Sequence, residues 1–185
     1  YFYYPLVKNG VEKYGIAILA KIPMEKVKFG RLPTLALKRS LEIRGAMWIR
    51  VKAGGAPVNM INTHLGLFAR ERRLQIRALL GREWLGGMNE DEPVIFCGDL
   101  NAGRRSFVYR RVVEHLRDVQ MAKEEKGPLK PTFFSYYPIL CLDHIFVSQH
   151  FSVVRTRIPG DPLARTASDH LPMVAELALP CAGQA

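Results

Sequence analysis

The chain has 185 residues, 48% hydrophobic and 24% charged, which suits one folded domain with a substantial core. Three cysteines, none in a CxxC spacing, argue against a disulfide framework or a structural zinc site, and no apolar run is long enough to span a bilayer as a helix. A formal net charge of +10 favours polyanionic partners: nucleic acid, anionic lipid surfaces or phosphorylated small molecules.

In chain order, Tyr1-Phe-Tyr-Tyr-Pro5 is neither a start-methionine region nor a signal peptide. Tyr14 to Lys21 (YGIAILAK) reads as a buried strand bounded by Gly10 and Pro23. Met24 to Arg39 is mixed and basic, which predicts loop with a short strand. Gly45 to Lys52 and Pro57 to Thr63 suit two strands joined at the Ala53-Gly-Gly-Ala56 turn as a hairpin. Arg70 to Leu85 predicts an amphipathic helix with Leu74, Arg77, Leu80 and Trp84 on one face, ended by Gly86-Gly87. Its arginines Arg70, Arg72, Arg73 and Arg77 read as a solvated face.

Pro93 to Gly98 (PVIFCG) is a short apolar strand, and Cys97 in it reads as a buried small residue. Ser106 caps a predicted helix running to about Leu116, with Val108, Val112 and Leu116 at helical spacing. Gly127 to Pro138 is Pro- and aromatic-rich and reads as a surface loop. Leu142 to Ser148 and Phe151 to Ile158 read as a pair of strands. Leu171 to Leu179 is a last strand, followed by a loose tail from Pro180. Strands dominate with a few helices, so the pattern argues for a layered α/β domain.

Chemistry concentrates in short segments that set polar groups at the ends of apolar strands. They are Asn62-Thr-His64-Leu, Gly98-Asp99-Leu-Asn101, Leu142-Asp143-His144-Ile-Phe-Val-Ser148 and Ser168-Asp169-His170-Leu-Pro172. Strand ends on one edge of a sheet can converge into a site. His64 could donate to a phosphoryl oxygen. Asp99 and Asn101, two residues apart, could hold one water from two sides, the first taking its proton and the second orienting it. Asp143, inside an apolar run, needs a partner, either an arginine or an imidazole. Each segment taken alone also fits a turn or a backbone-bonded strand end. His144 and His150 read as structural, as do the strand-edge residues Tyr14 and Arg44.

Taken in order, YGIAILAK, NTHL, PVIFCGDLN, LDHIFVS and SDHLP resemble the endonuclease/exonuclease/phosphatase superfamily, also called pancreatic-DNase-like, from about Tyr14 to Leu177. The resemblance implies a single domain over 1–185 and a four-layer α/β sandwich, in which two packed mixed sheets are flanked by helices. It also implies hydrolysis of a phosphate ester by in-line water, with magnesium or manganese as cofactor. Carried over by motif, His64 polarises the phosphoryl group and Asp99 helps activate the water. Asn101 orients that water and binds phosphate. His170 contacts the phosphate or exchanges protons, Asp143 pairs with His170, and Asp169 and Asp99 sit at the metal. The family normally opens with a strand bearing an Asn and a strand ending in a metal-binding Glu. Neither motif precedes Tyr14, and Asn9 and Glu12 flank a Gly-containing turn, so the N-terminal strands are expected to be missing. Nucleic acid and phospholipid are both open as substrates. A non-catalytic phosphate- or nucleic-acid-binding domain on the same fold is the alternative.

Overall fold

The computed structural model describes residues 1–9, 12–35, 42–121 and 129–179. Its centre is a six-stranded mixed sheet in the order β3-β4-β5-β6-β8-β7. These strands are Met24–Arg31 (β3), Gly45–Ala53 (β4), Ala56–His64 (β5), Val94–Asp99 (β6), Arg117–Asp118 (β7) and Asp143–Val147 (β8). β4 and β5 form the expected hairpin, and the turn works because Gly54 and Gly55 supply φ values of 59° and 83°. β5 and β6 run parallel, joined by a helical crossover, so His64 and Asp99 end side by side.

Side chains alternate across this sheet. Ala46, Ile61, Phe96 and Phe146 face the helices Ala69–Leu79 (α1) and Phe107–Val113 (α2), and the fully buried Phe96 and Phe146 rings stack 6.1 Å apart. Met47 and Ile49 point the other way. They pack against Leu6, Ile16 and Ile18 of the hairpin Phe2–Asn9 (β1) and Glu12–Ile18 (β2). Val58 and Val147 pack with residues of a second hairpin, Ser152–Arg157 (β9) and Val174–Ala178 (β10). Among the described residues, the second layer of strands therefore consists of two separate hairpins. A short helix, Pro162–Ala167 (α3), precedes β10 and is capped by Asp161, whose side chain accepts from the Ala164 N–H.

Several elements differ from the sequence reading. The opening Tyr1–Pro5 segment lies mostly within β1, because its aromatics Phe2 and Tyr4 pack on Phe29. The YGIAILAK strand stops at Ile18 and buries only Ile16 and Ile18, while Tyr14 and Leu19 face outward, since hairpin strands cover one face only. The strand expected within Met24 to Arg39 is present and begins at Met24, running eight residues. The tail of that segment lies outside the described residues, as do Gly127 and the segment from Pro180.

Helix α1 ends at Leu79, not Leu85. The chain turns at Gly81, whose carbonyl accepts from the Trp84 and Gly86 N–H groups. Its buried face is Glu71, Gln75, Ile76 and Leu79, so Leu74 and Arg77 point outward. α2 is capped by Ser106 as expected and ends at Val113, with buried Leu116 beyond it. β8 and β9 do not pair with each other. β8 lies in the central sheet between β6 and β7, and β9 pairs with β10 across the layer. Cys97 is half-buried and free, its thiol pushed up to about 12 by burial.

Candidate functional site

The C-terminal ends of β5 and β6 and the start of β8 meet at one edge of the sheet. Gly98 makes the last step of β6 possible. Its φ is 139°, and a Cβ there would sit 1.9 Å from the Thr63 carbonyl oxygen. Only glycine lets β6 run this close to β5 as the chain enters Asp99. Asn101 follows in the left-handed region at φ 48°, a conformation that asparagine tolerates. The Asp99 Oδ1 accepts from the Asn101 backbone N–H at 2.7 Å, and the Asn101 amide donates to the Leu65 carbonyl at 2.9 Å. The GDLN turn thereby anchors itself to the strand that carries His64.

A cleft of about 720 Å³ at this edge is lined by His64, Asp99, Asn101, Asp143, Asp169 and His170. All six candidate residues thus come to one place. His170 Nδ1 lies 2.7 Å from Asp143 Oδ2, which is hydrogen-bond distance. Two imidazoles flank Asp99: His64 Nε2 is 3.2 Å from its Oδ2, and His170 Nε2 is 4.0 Å away. Arg44 reaches His64 Nδ1 at 3.2 Å. A guanidinium can only donate, so Nδ1 accepts and the His64 proton sits on Nε2, facing Asp99.

Burial alone would raise the Asp99 carboxyl. The His64 bond, the Asn101 N–H and the electrostatic pull of the flanking imidazoles outweigh it and hold Asp99 below its ordinary value. Burial alone would likewise lower His170. Its bond to Asp143, with the charges of Asp143, Asp99 and Asp169, wins and raises it. The site therefore favours an ionised carboxylate between two imidazoles, one of which, His170, is made more basic by its carboxylate partner.

Arg44, which the sequence suggested was structural, lines the same cleft with Glu42 and Glu71. The signal for Arg44 lay in the hairpin register. Ala46 pairs with Thr63, so counting back from the Gly54-Gly55 turn brings Arg44 beside the His64 end of β5. Glu71 is 1% exposed and accepts from the Thr34 hydroxyl at 3.2 Å. On an amphipathic helix an acidic residue reads as solvent-facing, so the sequence held no signal for it. Arg72 and Gln75 hold the loop after His64: Gln75 Oε1 accepts from the Gly66 N–H, and Arg72 donates to the Gly66 and Leu67 carbonyls. Phe133 also lines the cleft, its ring 4.8 Å from that of His170. His144 is buried away from the cleft between Asp118 and the Ala102 carbonyl, and His150 bonds Ser148. Arg104 and Arg105 are exposed.

The closest group of possible metal donors among the described residues is Asp99, Asp143 and His170, with ligand atoms within 4.8 Å of one another. Two of the three are already bonded to each other. Asp169 is exposed on the cleft wall, its Oδ1 3.4 Å from the Ser168 hydroxyl.

A mixed six-stranded sheet with helices packed on one face and polar groups gathered at one edge defines a layered α/β domain. The model of the endonuclease/exonuclease/phosphatase family matches residues 1–170, and the chain belongs to that family. It is 28% identical to the uncharacterized protein YbhP of Escherichia coli K12 over 168 residues, covering 90% of this chain and 63% of the relative. The chain thus spans less than two thirds of the length of that relative. Among solved structures, it resembles a mannosyl-6-phosphatase of Bacteroides thetaiotaomicron at 23% identity and TM-score 0.68, covering 84% of this chain and 67% of that one. It also resembles D. rerio TDP2 in complex with a single-strand DNA product, at 19% identity and TM-score 0.64, covering 84% and 68%. At these identities the likeness is one of fold, and that fold is the expected DNase-like one.

Proposed function

We propose that this chain carries the site of a divalent-metal-dependent hydrolase of phosphate esters. The observation that supports the reading best is the convergence of His64, Asp99, Asn101, Asp143, Asp169 and His170, from separate segments, on one cleft with His170 held 2.7 Å from Asp143. Neighbours of the same fold include a protein named as a sugar-phosphate phosphatase and one bound to a DNA product, so the fold serves phosphate esters of different kinds.

Each side chain then has a chemical task. Arg44 binds a non-bridging phosphoryl oxygen, where charge is spread in the transition state, and the His64 Nε2–H turns from Asp99 to a second such oxygen when substrate enters the cleft. Asp99, kept ionised by its neighbours, accepts the proton of the attacking water, and the Asn101 side chain orients that water. Asp143 fixes the His170 ring with its Nδ1 proton inward, leaving Nε2 toward the cleft. As an imidazolium, His170 donates to the phosphate from that nitrogen.

Magnesium or manganese fits the oxygen donors here. Asp99 belongs to the group of donors that converge within 4.8 Å and Asp169 lines the same cleft, so these two carboxylates would hold the ion, and a site with few protein ligands leaves positions for water and substrate, as magnesium prefers. When bound, such an ion neutralises charge on the phosphoryl oxygens.

The test is turnover of the full chain with magnesium or manganese on a panel of soluble phosphodiesters and phosphomonoesters, beside Asp99→Ala and His170→Ala. Each variant should lose at least about a hundredfold in turnover. Tight phosphate-ester binding without turnover would instead support a non-catalytic binding domain.

A further inference from the structure

Two loops beside the cleft carry an unusual share of the exposed large apolar side chains. After β5, Leu67 is 68% and Phe68 is 52% exposed, and both line the cleft. On the loop that precedes β8, Phe134, Tyr137, Ile139 and Leu140 are 47%, 81%, 79% and 47% exposed. This second loop is a built feature. Its base is the backbone pairing of Phe133 with Leu140 and of Phe133 with His170. Arg165 donates to the Ser135 and Tyr136 carbonyls at 2.7 and 2.8 Å, and the Ser135 N–H bonds the Asp169 carbonyl at 2.8 Å. The backbone is therefore held while the apolar tips project into solvent. Its root, Phe133, packs on His170.

We propose that these two loops form a lipid-docking rim, so that the cleft meets the phosphate of a phospholipid headgroup at a bilayer surface. The inference rests on the phosphoesterase reading above. Three observations select this occupant. Exposed apolar patches of this kind mark an interaction surface. Its composition mixes aromatics with aliphatic Leu67, Ile139 and Leu140. Aliphatic side chains have no ring face to stack on a base, whereas they gain by entering the acyl boundary beside interfacial tyrosines. The charge also suits anionic lipid: the chain carries +10 overall, exposed Arg70 follows Phe68 by two residues, and exposed Lys130 stands shortly before Phe133.

The experiment is co-sedimentation of the full chain with large unilamellar vesicles of phosphatidylcholine, with and without phosphatidylglycerol. Wild type, Leu67→Ser and the double variant Tyr137→Ser/Ile139→Ser are compared. Wild type should sediment with vesicles, more strongly when phosphatidylglycerol is present. The double variant should bind at least about tenfold more weakly, because two side chains that bury apolar surface are lost, and Leu67→Ser should weaken binding in the same direction. These positions are exposed, so thermal unfolding of the variants should match wild type, which separates docking from folding. Wild-type protein left in the supernatant with both vesicle types would overturn the inference. So would a double variant that sediments like wild type, or single-stranded oligonucleotide binding that the same substitutions abolish. Wild-type turnover of a soluble phosphodiester without vesicles reads the hydrolase proposal separately, so the two can fail independently.

Discussion

Asp143→Asn isolates the charge behind His170. Asparagine keeps the size and an oxygen acceptor but removes the carboxylate that sits 2.7 Å from Nδ1. Asp143 and His170 are each about three-quarters buried, with side-chain exposures of 23% and 24%, so solvent screens their interaction only partly. A hydrogen bond to a charged group contributes about 1.5–3 kcal/mol, and each 1.36 kcal/mol of barrier is tenfold in rate. Turnover should therefore fall by roughly 10- to 150-fold. The pH behaviour should change as well. His170 is raised mainly by Asp143, so its removal should move the alkaline limb of the pH–rate profile toward lower pH. Stability follows the same sign. A histidine raised on folding stabilises fully below its unfolded pKa, and that stabilisation is lost as pH rises through the folded value. The stability gap between wild type and Asp143→Asn should thus be widest on the acid side of neutrality and close as pH rises. Steady-state kinetics across pH, paired with urea denaturation at acid and alkaline pH, checks both halves. Wild-type turnover with an unshifted alkaline limb would refute the dyad.

Further expectations follow from single contacts. Gly98→Ala should destabilise by more than about 2 kcal/mol in chemical denaturation, because its Cβ would stand 1.9 Å from the Thr63 oxygen at a φ of 139°. Arg44→Ala should lower kcat/KM by at least about tenfold, as it removes a charged donor from the cleft and releases His64 Nδ1. Removing divalent ions with a chelator should abolish turnover, and magnesium or manganese should restore it. Calorimetric titration should show weaker magnesium binding in Asp99→Ala than in wild type.

The sequence was most informative where the chemistry is local. Apolar runs bordering NTHL, GDLN and LDHIFVS placed His64, Asp99 and Asp143 at strand ends, and Ser106 marked the start of α2, because strand burial and helix capping are decided within a few residues; SDHLP instead follows α3, and the last strand, expected from Leu171, starts at Val174. It was less informative where partners are far apart in the chain. Nothing in LDHIFVS and FSVVRTRI says that β8 joins β6 and β7 while β9 leaves to pair with β10, since adjacency along the chain does not determine which sheet a strand enters. The same limit hid the extent of α1. Helical periodicity continued past Leu79, but the chain turns at Gly81 to seat Trp84 in the core. Tertiary structure alone decided that Glu71 is buried at the cleft and that Phe133 backs His170, because each contact joins segments far apart in the chain. The sequence therefore determined which groups the chain offers at its strand ends. The register of β4 on β5, the parallel pairing of β5 with β6 and the packing of the Phe133 loop decided which of them meet, and so the charge state in which they do.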